Sequence, residues 1–297
     1  MSSANKRAAE TLSKHAGRFA CPVCGTEMAM NREGTAGLVC TAGHRFDMAR
    51  QGYINLLAKG GTPSYDKQWF EARRIVSRSG FFAPLDKELA RILQEIPELL
   101  AEEGALLEAG CGEGSHLGAV HAMLAVDGQR QPAACGMDIA KEGVRLAAAA
   151  YPDIAWCVSD LAGCPFRDGQ FAAILNLLSP ANYTEFHRLL APGGRLVKAV
   201  PGTEHLREWR ELLYTGAERR EYANDRTIRL FESRFRITDT RRVTYRFPVP
   251  VELAEPLLRM TPLSWGADET ARRRAAESGI RSLTANFMLL IGERPED

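Results

Sequence analysis

The chain is expected to fold as an α/β protein with a Rossmann-like, mostly parallel sheet and a small metal-stabilised module at its N-terminus. Three observations carry this expectation. From Ala105 onward, short apolar runs alternate with helical segments, the pattern of parallel strands joined by crossover helices. One of these runs, Leu106-Leu107-Glu108-Ala109, ends in a glycine-rich turn that opens a helix. Ahead of it, two Cys/His pairs stand in a segment too poor in apolar residues to build a core unaided.

Taken in order, the first part is residues 1–60, read as a metal-binding recognition module. The segment GGTPSYDK (60–67) is a linker, and helices over Lys67 to about Ser79 and Pro84 to Leu100 bridge residues 61–100 to the larger part. From 101 to 297 the strands are ALLEAG, ACGMDI, IAWCVSD, FAAILNLL and GRLVKAV, with helices from about His116, Lys141 and Tyr183. Ala-Pro-Gly-Gly at 191–194 turns the last of these helices into its strand. A helix over His205–Glu221, a strand at 242–249, a helical insertion at about 251–280 and a final strand, ANFMLLIGE, complete the chain.

Composition excludes several classes. Hydrophobic residues make up 45% and charged residues 25%, ordinary usage for a folded chain. The apolar stretch Phe287–Ile291 is far shorter than the ~20 residues that span a bilayer, and the N-terminus has no apolar targeting core, so a cytoplasmic protein is expected. Seven cysteines, an odd number, suit reduced thiols or metal ligation better than disulfides. The net charge of +1 hides an asymmetry: residues 1–60 carry eight Lys/Arg against four acids, which leaves the rest negative. A basic front points to a polyanionic partner.

Cys21-Pro-Val-Cys24 and Cys40-Thr-Ala-Gly-His44 supply two ligand pairs fifteen residues apart. Four thiolate and imidazole donors with no fifth make a closed, structural zinc site, and Gly25 and Gly43 allow the tight turns beside the ligands. In Glu108-Ala109-Gly110-Cys111-Gly112-Glu113-Gly114 the glycines let a cofactor approach the backbone, while Ser115 and Leu117 stand where the third glycine of a pyrophosphate-binding loop would fall. That disfavours NAD. The opening acid Glu108 suits the ammonium of S-adenosylmethionine (AdoMet). Asp138, 28 residues beyond Gly110, is placed at the next strand end to accept ribose hydroxyls, and the polar loop at 127–134 accounts for the long spacing. Asp160 ends the third strand, where it would meet the adenine amino group.

With these motifs in place, the chain resembles the RlmA family of 23S rRNA guanine-N1 methyltransferases. The likeness runs through CPVC, CTAGHRFDMARQGYINLL (40–57), ARR with GFFAPL (72–85), LLEAGCGEG, GMD, APGG, AVPGTEHLREW (199–209) and MTPLSW (260–265). It implies a class I AdoMet-dependent methyltransferase with a seven-stranded Rossmann-like sheet behind an N-terminal zinc ribbon. It implies zinc on Cys21, Cys24, Cys40 and His44. It also implies AdoMet contacts from Phe82, the glycine-rich loop with Ser115, His116 and Leu117, Asp138 and His205.

Two departures bear on chemistry. Phe82 lacks the hydroxyl that Tyr offers at this position elsewhere, so stacking alone is left. Asn176-Leu177-Leu178-Ser179-Pro180 stands where amino methyltransferases carry (Asp/Asn)-Pro-Pro-Tyr, which fits a ring nitrogen as target. Residues 207–246 hold eleven Arg against seven acids, either a phosphate-facing strip or a solvated surface, and Phe46, Tyr53 and Trp265 are either base-stacking or core residues.

The expected activity is methyl transfer from AdoMet to N1 of a guanine in a 23S rRNA hairpin held by the ribbon. The alternatives are a methyltransferase of a small molecule or protein, and a catalytically silent AdoMet-holding RNA-binding protein. No catalytic base is assigned, Asp160 and the backbone near Asn176–Pro180 being the options, and homodimerisation is left open.

Overall fold

A computed structural model describes residues 3–31, 34–57, 65–125, 131–214 and 224–294. The linker at 60–64, the loop at 127–130 and residues 215–221 of the helix expected after His205 lie outside the described residues. Strands β1 (Met28–Asn31), β2 (Gly37–Cys40) and β3 (Arg45–Asp47) form a small antiparallel sheet in that order. Strand β4 (Tyr53–Asn55) leaves it and joins the large sheet. That sheet is completed by β5 (Ala105–Ala109), β6 (Ala133–Asp138), β7 (Ala155–Val158), β8 (Phe171–Leu177), β9 (Leu190–Pro201), β10 (Arg236–Pro248) and β11 (Ser282–Glu293).

The large sheet runs β10-β11-β9-β8-β5-β6-β7-β4. Strands β4 to β9 are parallel to one another, and β11 is antiparallel to both β9 and β10. The seven strands from β5 onward are the sheet the resemblance implies. An eighth comes from the first part of the chain: Tyr53, Ile54 and Asn55 pair with Trp156, Cys157 and Val158 along the β7 edge. Strand β5 is buried at every position because helices or the N-terminal segment cover both faces. The chain crosses the sheet's order between β5 and β8, and the loops at the carboxyl ends of these strands are where ligands bind in such folds.

Four elements differ from expectation. The helix expected over His205–Glu221 is Arg207–Leu213, ended by an extended Tyr214, and the strand expected at 242–249 begins at Arg236 as β10. The helix expected over Pro84–Leu100 is broken into Ala83–Gln94 and Pro97–Leu100, because Ile96, ahead of Pro97, is extended. Ser3–His15 forms a helix that is not among the expected elements. Its Ala8 and Leu12, with Phe19, Met28, Leu38 and Ile54, share one buried cluster with Leu107, Met137, Cys157 and Phe171 of the large sheet and with Phe166 ahead of β8. Phe19 and Phe166 lie 4.8 Å apart between ring centroids, and Arg167 reaches back to Gly17 O (3.1 Å) and Glu27 (2.9 Å). The N-terminal segment therefore covers one face of the sheet. Among the described residues no helix is long and apolar enough to cross a membrane.

Candidate active site and metal centre

The ligand atoms of Cys21, Cys24, Cys40 and His44 converge within 4.8 Å of one another. Cys24 Sγ is 3.6 Å from Cys40 Sγ, and His44 Nδ1 is 3.6 Å from Cys21 Sγ and 3.4 Å from Cys40 Sγ. A zinc tetrahedron with Zn–S of about 2.3 Å and Zn–N of about 2.0 Å has edges of roughly 3.5–3.8 Å, and these three separations match such edges. Two knuckle turns make the cluster. Gly25 N donates to Cys21 O (2.8 Å) and Gly43 N to Cys40 O (2.9 Å), both glycines having positive φ (73° and 86°). The amides of Val23 and Cys24 reach the Cys21 sulfur. Against the opposing effect of burial, the His44 amide and the Cys24 and His44 side chains hold the Cys40 thiol down at about 6, towards the thiolate a metal needs. Cys111, Cys135, Cys157 and Cys164 are buried free thiols elsewhere.

The cleft at the carboxyl ends of the strands has two adjoining compartments. The first, about 370 Å³, is lined by Gly110, Gly112, Asp138, Asp160 and Phe70 among others. Gly110 and Gly112 have φ of 82° and 54°. At Gly110 a Cβ would fall 2.0 Å from Ser179 Oγ, whereas the space beside Gly112 is open to 3.6 Å. Asp138 accepts Gly112 N and Ala140 N, one on each carboxylate oxygen, both at 2.8 Å. Burial pushes its pKa up, and each oxygen keeps a further lone pair for hydroxyl donors. Asp160 accepts Ala162 N at 2.9 Å on one oxygen. An open glycine turn beside a strand-end carboxylate fits the amino-acid and ribose parts of AdoMet.

The second compartment, about 460 Å³, contains Phe82, Lys198, His205, Arg210 and Leu263. Tyr65, Trp69, Arg73 and Leu178–Pro180 line both compartments, so the two meet along these residues. The Arg73 guanidinium lies 5.6 Å from the Trp69 ring and 5.3 Å from the Phe82 ring, and 3.6 Å from the buried Glu113 carboxylate. At the junction, Asn176 donates to Ala109 O (3.0 Å) and Pro180 O (2.8 Å), while its oxygen accepts from Lys198 Nζ (2.5 Å). Leu178 between them has φ of 53°, a strained conformation for a branched side chain that this network holds in place.

Of the residues singled out in the sequence, Gly110, Gly112, Asp138 and Asp160 meet in the first compartment, and Phe82 and His205 stand in the second. The others lie beneath the loop. Glu108 is fully buried, where its carboxylate accepts Leu117 N at 3.1 Å and burial drives its pKa well up; it anchors the helix Ser115–Leu124 rather than facing the cleft. Gly114 is needed for packing, since a Cβ there would sit 2.6 Å from Trp156. His116 bonds Asp86 through Nδ1 (2.5 Å) under the Phe82 ring, with Nε2 buried and unpartnered among the described residues, and Ser115 and Leu117 are buried beside it.

Four of the nine described arginines in the strip form ion pairs: Arg207 with Glu204, Arg236 with Glu293, Arg241 with Glu88 and Glu95, and Arg246 with Glu208. Arg219 and Arg220 lie outside the described residues. Tyr53 is core and Phe46 packs, partly buried, against the cluster shared by the ribbon and the sheet, whereas Trp265 is 49% exposed beside Tyr65, 5.4 Å between ring centroids. The cleft residues that the sequence did not single out include Tyr65, Trp69 and Lys198, while Arg73 and Arg210 stood only within the ARR motif and the arginine-rich strip. Lys198 alone left a visible signal, a charge in the middle of an apolar strand.

Comparison with known proteins agrees with this geometry. Residues 19–59 match the family described as RlmA, N-terminal, and residues 106–194 match the methyltransferase domain. YxjB of Bacillus subtilis (strain 168), named a candidate 23S rRNA (guanine-N(1)-)-methyltransferase, is 37% identical over 277 residues, 92% of this chain and 96% of its own. The 23S rRNA (guanine(748)-N(1))-methyltransferase of Streptomyces fradiae is 32% identical over 276 residues, 91% of this chain and 95% of its own. Among solved structures, the YcgJ protein of Bacillus subtilis aligns with a TM-score of 0.47 at 15% identity, over 71% of this chain and 100% of its own. With two relatives above 30% identity matched over nearly their whole length, the chain belongs to the RlmA family of 23S rRNA (guanine-N1)-methyltransferases.

Proposed function

We propose that the protein transfers a methyl group from AdoMet to N1 of a guanine in a hairpin of 23S rRNA, in the cytoplasm, with the zinc ribbon holding the RNA. The observation that carries the ring-nitrogen target is the state of Asn176. Asn176 is fully buried, with both amide hydrogens and its oxygen bonded inside the protein, and it lines neither compartment, so it is not presented to an exocyclic amine. Named roles follow from the two compartments. Gly110, Gly112, Asp138, Asp160 and the Arg73 guanidinium would hold AdoMet, which supplies an electrophilic methyl on a sulfonium when bound. Phe82, Tyr65 and Trp69 offer aromatic faces for a base and exclude water, and His205 offers a donor to a carbonyl edge. A paired guanine hides N1, so the target must come from a loop or be unstacked. Residues 1–60 as recognition module, 61–100 as bridge and 101–297 as transferase fit these roles, and the cleft is lined from a single chain, whether or not two chains associate.

The test is primer extension on 23S rRNA with nucleoside analysis. N1-methylguanosine blocks the Watson–Crick edge and stops reverse transcriptase at one hairpin nucleotide. A methyl group found on an exocyclic amine or on ribose, or no enzyme-dependent stop, sinks the reading. RNA bound without transfer would favour the silent AdoMet-holding alternative instead.

A further inference from the structure

A guanine N1 carries a hydrogen, and an N1–methyl bond forms only if that hydrogen leaves as a proton. Among the described residues lining the second compartment there is no Asp or Glu; the titratable or charged side chains are Tyr65, Arg73, Lys198, His205 and Arg210. Both arginines stay protonated at any working pH. Tyr65 is a phenol whose pKa burial raises further, so it donates. His205 accepts Asn286 N at Nδ1 (3.2 Å), which puts its hydrogen on Nε2 and makes it a donor too. Burial also pushes its pKa down to about 3, and so it stays neutral.

Lys198 is left. It sits in the interior of β9, 4% exposed, and donates through Nζ to Asn176 Oδ1 (2.5 Å) and Ser179 O (3.1 Å). A neutral amine has two hydrogens, and these two oxygens take both. The one remaining direction at nitrogen is then a lone pair. Burial without a paired carboxylate disfavours the ammonium and brings the group down to about 8, so the neutral amine is accessible near neutral pH. The Asn176 and Ser179 anchors also bracket Leu178, which lies on the wall where the two compartments meet.

Resting on the reading proposed above, we infer that Lys198 Nζ is the proton acceptor for guanine N1, with His205 Nε2–H donating to the guanine O6. The Lys198 lone pair takes the N1 proton, and the N–H electron pair stays on the ring and forms the bond to the methyl carbon. The S–CH3 pair remains on sulfur. O6 carries charge in passing, which the His205 donor stabilises, and Lys198 then releases its proton to solvent.

The experiment is single-turnover methylation of the rRNA hairpin by wild type, Lys198→Met and Lys198→Arg, with AdoMet affinity measured by calorimetry and RNA affinity by filter binding. Both variants are expected to lose about 10²–10⁴-fold in rate with both affinities retained. Lys198→Arg keeps the two donated bonds and the charge but cannot deprotonate, which separates proton transfer from anchoring of the loop. In wild type the rate should rise with pH through one ionisation near 8 and then level off, because the deprotonated amine is the active form. That inflection should vanish in Lys198→Arg, and small primary amines should restore part of the rate to Lys198→Ala. A Lys198→Arg rate close to wild type, or a flat wild-type profile, overturns the inference. If Lys198→Met loses AdoMet or RNA binding, the wild-type profile and amine rescue decide. A wild type that makes no N1-methylguanosine at all removes the functional reading, and this inference with it.

Discussion

The metal centre and the cleft are assembled on different scales. All four donors of the metal centre come from residues 21–44, and two glycine turns bring them together. The cleft draws its walls from Tyr65 to Leu263, and its shape depends on buried polar anchors such as Lys198–Asn176 and Asp138–Gly112. The local site nevertheless has the wider structural reach. Phe19, Met28 and Leu38, around the metal, belong to the same buried cluster as Leu107, Met137 and Phe171 at the floor of the sheet. A compact site can therefore govern a large core, while a site built from distant segments can be altered one contact at a time.

Removing zinc should have the largest effect. Structural zinc contributes about 10–16 kcal/mol in isolated finger peptides, and metal binding is coupled to folding. Cys24→Ala should abolish stoichiometric zinc in metal analysis. Because the core is shared, strong chelation should also lower the thermal midpoint of the whole chain; loss confined to the first 60 residues, with the sheet's own transition unmoved, would show the two regions to be independent. Phe19→Ala probes the same junction without touching a ligand. It should cost about 3–5 kcal/mol in denaturant unfolding and leave zinc content intact.

On the cleft side, Asp138→Ala removes charge-assisted acceptors worth roughly 1.5–3 kcal/mol each. AdoMet affinity measured by calorimetry should fall by about one to three decades, with some loss of thermal midpoint as Gly112 N and Ala140 N lose their acceptor; unaltered affinity would discard the first compartment as the AdoMet site. The smallest effects belong to the exposed ribbon arginines. Arg45→Ala or Arg50→Ala should weaken RNA binding and reduce its salt slope by about one, leaving AdoMet affinity unchanged. A fall in AdoMet affinity instead would tie the ribbon to the cleft.

The metal ligands were legible because their spacing is local, and the strand–turn–helix around Gly110 was legible for the same reason. Asp138 could be placed because it ends the neighbouring strand of a regular parallel pattern. Glu108 shows the limit of such reasoning: its residue type suited a ligand, but a strand position covered on both faces turned its carboxylate to the Leu117 amide. No role could be read for Trp69 or Arg73 because nothing in a helix of mixed composition says which face will meet a loop a hundred residues away, and Tyr65 stands just ahead of that helix. The helix Ser3–His15 was missed since its few apolar residues suffice only when a sheet face is there to receive them. Strand β4 is three residues long, below what alternation can reveal.

The covering of the sheet by the N-terminal segment also sets an order of events during synthesis. The metal knuckles can close once His44 has left the ribosome. Their apolar side has to wait for Phe166, which is 122 residues later in the chain. At ~5–20 residues per second that wait is roughly 6–25 s, long compared with the closing of a short loop. For that interval the nascent chain presents Phe19, Leu38 and Ile54 to water and to whatever holds unfolded chains. A finished metal site is thus no sign of a finished protein, and a shortage of zinc would be felt before the transferase sheet has begun to form.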